Sequence, residues 1–300
     1  MKLLKLKNVG NSRKRKEVKT KRENSFSDFY KIKFPKEVKF LNKLNKANEK
    51  EYKEWLRRKT ILNKLLGKST LTIGAKGKNG IVLGGDRKVM RGGETDFEDK
   101  VRILKVKAAP IIFAAAGLLG VIEDFLEIFE KTLIANIKEG KIVSLLSVKI
   151  MAEDLVETIE KRYGPKFGLA SIFTFILGGL SGLTKGEALL YEIGSPGYGE
   201  KIKYYSLIGH GRDYSRTIGK YLFPIPSSCE DSSLSCSEII PRISACIYWI
   251  SGEIDDYVGG DPQILYILDN KPEVKEGKYN KAKISKKVGQ FKQMIKEISF

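Results

Sequence analysis

The chain has 300 residues, 42% hydrophobic and 10% aromatic, enough for one large domain or two small ones and too apolar for whole-chain disorder, collagen or a disulfide scaffold. Its single histidine, His210, excludes multi-histidine metal sites, and Cys229, Cys236 and Cys246 are too few and too far apart for a zinc site of the CxxC type. The net charge of +19 sits at the ends: residues 1–69 carry 23 Lys and Arg against 7 Asp and Glu, residues 271–300 carry 9 against 3, and the body between carries 23 against 26.

In chain order, the opening MKLLKLKNVGNSRKRK lacks an apolar stretch of useful length, so no signal peptide is expected. The odd cysteine count favours free thiols in a reducing, cytoplasmic setting. Residues 1–46 read as a basic arm, either simply solvated or making a weak contact with nucleic-acid phosphates. Residues 48–66 carry Tyr52, Trp55, Leu56, Leu62, Leu65 and Leu66 mostly at helical spacing, with Gly67 as a stop. STLTIGAKGKNGIVLGGDRKV then reads as a hairpin around Lys-Gly-Lys-Asn-Gly.

A second strand pair is expected within 103–116, followed by helices over 117–138 and about 144–162. Strands are expected at 170–177, 187–193 and 202–208, short helices at about 211–222 and 236–252, and a strand at 264–269. Residues 271–300 form a basic tail, with helical character in KKVGQFKQMIKEI. The longest uncharged run, Phe167 to Thr184, has 18 residues, six of them Gly or Ser, and fits buried strands better than a membrane span. The GxG fragments lack the strand-loop-helix context of a nucleotide site, and no metal or other cofactor is expected. Helices arrive in pairs between groups of strands. That order predicts an α+β fold, a four-layer αββα sandwich of two antiparallel sheets between helix pairs.

Within the hairpin, a turn centred near Lys78 places Thr70 opposite Asp86 to within a residue or two. Alternation puts Thr70, Thr72 and Gly74 on one face and Leu71, Ile73 and Ala75 on the other. Gly84 and Gly85 allow close approach of another backbone. From these residues alone, a hydroxyl facing a carboxylate across a hairpin reads as a surface pair.

From Thr70 onward the sequence resembles the proteasome-type N-terminal-nucleophile hydrolases, over about 70–270. TLTIGAKGKNGIVLGGDRKV is similar to that family's opening strand pair, with the nucleophilic Thr 16 residues before the catalytic Asp. DKVRIL makes Lys100 the match to the catalytic lysine, and IIFAAAGLLGVIEDF makes Gly117 the match to the oxyanion-hole glycine. The pattern departs at several places. Ser69 stands where the family usually has Gly before the cut, and the Thr70–Lys100 spacing is two residues short. His210 replaces a supporting Ser, while aligning on Gly259 and Gly260 matches Asp255 to the late Asp and puts Val258 at a second Ser position.

The resemblance implies a threonine-type endopeptidase acting on peptides or proteins within a homo- or hetero-oligomeric ring. Thr70 would be exposed when residues 1–69 are removed as a propeptide. Its α-amine would be the base, Lys100 and Asp86 would tune the hydroxyl, and Gly117 would hold the oxyanion. Two alternatives share the resemblance: a non-catalytic ring subunit that keeps its N-terminal extension, and a peptide ligase or transferase using the same acyl-enzyme.

Overall fold

The computed structural model describes residues 70–298, apart from 92–93, 105, 107–108, 168–172, 210–211, 213–218, 220–221, 224–233 and 254–257. The expected helix at 48–66 and most of the expected helix at 211–222 lie outside the described residues.

β1 (Leu71–Gly77) and β2 (Gly80–Gly85) form the anticipated hairpin, paired from Thr72 opposite Gly85 to Gly77 opposite Gly80. β3 (Lys88–Arg91) and β4 (Glu94–Phe97) make a separate two-stranded ribbon with no counterpart in the sequence reading. β5 (Val101–Ile103) and β6 (Ile112–Gly117) follow, the first shorter and earlier than anticipated. α1 (Leu119–Lys138) and α2 (Leu145–Phe167) form the first helix pair. β7 (Phe173–Leu180), β8 (Ala188–Gly194), β9 (Tyr198–Lys201) and β10 (Tyr205–Gly209) come next. α3 (Cys236–Glu253), β11 (Gln263–Leu268), β12 (Val274–Glu276) and α4 (Lys281–Ile298) complete the chain.

Two five-stranded antiparallel sheets result, ordered β10-β1-β2-β11-β12 and β5-β6-β7-β8-β9. Strand alternation divides the apolar side chains into three layers. Ile81, Leu83, Ile112, Ala114, Ile176, Leu190 and Ile267 fill the space between the sheets. Leu71, Ile73, Ala75 and Val82 face Ile239, Ile243 and Ile247 of α3. Phe113, Phe173 and Phe175 face Phe125 and Phe129 of α1. Phe125 is fully buried, and its ring centroid lies 4.9–6.0 Å from four other phenylalanines. The architecture is the αββα sandwich, with α1 and α2 outside one sheet and α3 and α4 on the side of the other.

The expected strand at 202–208 is split. β9 belongs to one sheet and β10 to the other, and the chain changes sheets through residues 202–204. Ile202 is buried there and its N–H donates to the Leu190 carbonyl at 2.9 Å. At the closed end of the first hairpin Lys76 lies between the sheets. Its Nζ donates to the Ala188 carbonyl at 3.0 Å and pairs with Glu187 at 3.3 Å and Asp269 at 3.6 Å, which is how a lysine is tolerated in this layer.

α3 starts on a capping box. The Glu238 carboxylate accepts the Ser235 N–H at 2.8 Å, and Asn79 from the hairpin turn accepts the Cys236 N–H at 2.9 Å. Cys236 and Cys246 are buried, and burial pushes the Cys236 thiol up to about 12. Among the described residues no helix is long and apolar enough to cross a membrane; the Phe167–Thr184 run supplies β7.

Candidate active site

The site is built at the open end of the hairpin, where β2 ends in Asp86. The hairpin register carries one step past Thr72–Gly85, so Asp86 faces Leu71. The Leu71 N–H donates to Asp86 Oδ1 at 2.8 Å, and the Asp86 N–H donates back to the Leu71 carbonyl at 3.1 Å. The peptide unit joining Thr70 to Leu71 is therefore held on the carboxylate. Thr70 itself is half-buried at the start of β1.

Lys100 comes from the residue before β5. Its Nζ donates to both Asp86 oxygens at 2.9 Å. The Asp86 side chain is wholly buried and that of Lys100 is 9% exposed. Two more amides reach Asp86 Oδ2, from Lys88 and Gly259, both at 3.2 Å. Burial pushes the Asp86 carboxyl above its ordinary value, and the Lys100 charge and the Leu71 N–H pull the other way. Burial likewise lowers Lys100 from its ordinary value, opposed by the Asp86 charge. A buried charge needs both a partner and hydrogen bonds, and this pair has both.

β10 closes the other side of Thr70. Gly209 pairs with Leu71 and has φ +96. A β-carbon there would lie 2.0 Å from the Thr70 carbonyl oxygen and 3.3 Å from the Ala116 β-carbon, so only glycine fits. Ala116 precedes Gly117, which brings the end of β6 up beside Thr70. Gly117 is exposed, with φ +143. α1 starts two residues later, with no acidic residue in its first turn and, among the described residues, no side-chain cap. Uncapped amides and the positive end of the helix dipole suit this corner to developing negative charge.

Thr70, Asp86, Lys100 and Gly117 are thus gathered at one end of the two sheets. Ser69, His210 and Asp255 lie outside the described residues. Val258 is 1% exposed and belongs to the apolar cluster of Leu71, Ile73 and Ile250, so its side chain serves the core rather than the carboxylate. The expected close approach at Gly84 and Gly85 comes from side chains. A β-carbon on Gly84 would meet Ile243 of α3 at 2.4 Å, and one on Gly85 would meet Val101 at 3.1 Å.

Two contributors escaped the sequence reading. The Gly259 N–H reaches Asp86 across 173 residues, and Gln263 Oε1 accepts the Val101 N–H at 2.9 Å, pinning the strand that follows Lys100. Among the described residues Thr72 Oγ1 has no hydrogen-bond partner; it is buried, 3.6 Å from where a Gly85 β-carbon would be. Among the described residues no group of His, Cys, Asp and Glu is arranged to hold a metal ion.

The chain matches the family model described as proteasome subunit over residues 67–263, and so belongs to the proteasome subunit family. Among solved structures, a (Gly-1) mutant of Anbu from Hyphomicrobium sp. strain MC1 superposes with a TM-score of 0.61 at 14% identity, over 76% of this chain and 96% of that one. Anbu from Yersinia bercovieri, described as an ancestral beta-subunit, gives 0.59 at 12% identity, over 76% and 95%. These likenesses carry the fold. Comparison with curated protein sequences gave no match.

Proposed function

We propose that this chain is a threonine-type peptidase of the proteasome kind, acting in a cytoplasmic ring of subunits on peptide or protein substrates. The observation that carries this reading is the Thr70–Leu71 peptide unit, held directly on a buried, bidentate Asp86–Lys100 pair with the Gly117 end of β6 alongside.

Removal of residues 1–69 gives Thr70 a free α-amine. Such an amine has a pKa of roughly 7.7–8.0, so it is partly neutral near pH 7 and serves as a base without a histidine. The Thr70 hydroxyl attacks the substrate carbonyl carbon and its proton passes to that amine. Lys100 favours the ionised hydroxyl by its charge, and Asp86 orients Lys100. The Gly117 N–H donates to the oxyanion. Collapse expels the substrate's amine, which takes the proton, and water then releases the acyl group from Thr70. No step calls for a metal or cofactor.

The test is turnover of peptide amides by the wild type and by Thr70→Ala. Loss of the nucleophile is expected to cut turnover by roughly 10³-fold or more while circular dichroism shows both proteins folded. Equal turnover by the two proteins would remove Thr70 from the chemistry.

A further inference from the structure

The end of the chain, beyond the matched 67–263, returns to the loop that serves Asp86. β11 and β12 pair with Ile267 opposite Val274 and Leu265 opposite Glu276. Carried onward, that register places Tyr279 opposite Pro262. The Gly277 N–H donates to the Ile264 carbonyl at 2.9 Å, and the Tyr279 hydroxyl donates to the Pro262 carbonyl at 3.1 Å. Asn280 then caps α4, accepting the Lys283 N–H at 3.2 Å, and buried Ile284 anchors the helix.

α3 grips the same loop. The Tyr248 hydroxyl donates to Asp261 Oδ1, and its ring meets that of Tyr279 edge-on with centroids 6.0 Å apart. Lys281 Nζ is 3.4 Å from the same Asp261 oxygen, but these two side chains are 70% and 63% exposed, so that ion pair adds little. The tyrosines are half-buried and carry the hold.

At its other end the loop is fastened to the site. Gly259 donates to Asp86 at 3.2 Å, and its carbonyl accepts the Arg87 and Lys88 N–H groups at 2.9 and 3.0 Å. Val258 is set in the core. Residues 258–262 thus bridge the Asp86 carboxylate and the last hairpin of the chain.

We propose that Tyr279 and Tyr248 are positioning residues for Asp86: they fix Asp261 and Pro262 so that the Gly259 N–H stays aimed at the carboxylate. Asp86 in turn sets where the Lys100 ammonium sits. A loosened Gly259 leaves Asp86 with fewer fixed donors and spreads the positions of Lys100. That spread acts on the chemical step rather than on substrate binding. Its activity consequence rests on the peptidase reading; the clamp itself rests on geometry.

The experiment uses Tyr279→Phe and, separately, Tyr248→Phe in the full chain. Both changes remove one hydroxyl and keep the ring. Hydrogen exchange of the amides at 259–261 is followed by mass spectrometry, and kcat and KM are measured on a peptide amide. Exchange is expected to speed up by roughly five- to tenfold in each variant, the size of one lost hydrogen bond. A fall in kcat of similar size with KM unchanged is expected beside it, by roughly the same factor. Unchanged exchange at 259–261 in both variants overturns the proposal, as does a rise in KM at constant kcat. A wild type that turns over no peptide would overturn the peptidase reading instead, and exchange would still decide the clamp.

Discussion

Lys100→Met is expected to destabilise the protein by about 3–5 kcal/mol and to stop turnover. The methionine keeps most of the lysine stem, so little packing is lost. What it removes is the ammonium that donates to both oxygens of a wholly buried carboxylate. The amides of Leu71, Lys88 and Gly259 remain, but three dipoles do not neutralise a buried charge. Much of the loss therefore belongs to Asp86 left unpaired rather than to the pair itself. Adding Asp86→Asn removes that charge and is expected to restore more than half of the stability while turnover stays absent. Urea denaturation midpoints beside peptide turnover separate the two effects. A Lys100→Met protein as stable as the wild type would show that the pair is not closed as described.

Gly209→Ala is the second large effect. At φ +96 a residue with a β-carbon is strained by about 1–3 kcal/mol. The added methyl would also lie 2.0 Å from the Thr70 carbonyl oxygen, so Thr70 or β10 must move. A displacement of about 1 Å at a reacting group costs roughly 10²-fold in rate, and kcat is expected to fall by about that factor. The control is Gly140→Ala, in the turn after α1. Gly140 has φ +68, but none of the described residues lies within 4 Å of its added β-carbon. It is expected to lose about 1 kcal/mol of stability and keep its activity. Equal kcat values for the two variants would show that contact at Thr70 does not matter.

The parts of this fold that were legible in sequence are those coded locally. The first hairpin is set by its Lys-Asn turn and by alternation, and its register fixes the Thr70–Asp86 relation to within one residue. α1 was legible because Ile122, Leu126, Phe129 and Leu133 repeat at helical spacing, and all four are buried. The missed strands carry no such pattern. β3 is Lys-Val-Met-Arg and β9 is Tyr-Gly-Glu-Lys, and neither has two apolar residues on one side. The sheet change at 202–204 was hidden because Ile202, Leu207 and Ile208 all read as strand residues, whichever sheet they join.

In the site, Lys100 and Gly117 were named through likeness to a family, not through any local rule. The Gly259 and Gln263 contacts span 173 and 162 residues and leave no local signature. Val258 looked like a substituted polar position. The structure accounts for it as a core residue whose neighbour, Gly259, does the polar work through its backbone.

The central claim is that Thr70 acts through its own α-amine, which exists only on a chain cut before it. The most direct measurement is the intact mass and N-terminal sequence of the purified protein beside Thr70→Ala. The wild-type chain is expected to begin at Thr70, and the variant to keep residues 1–69. A wild type that stays full length after long incubation, yet still turns over peptide, would contradict that claim.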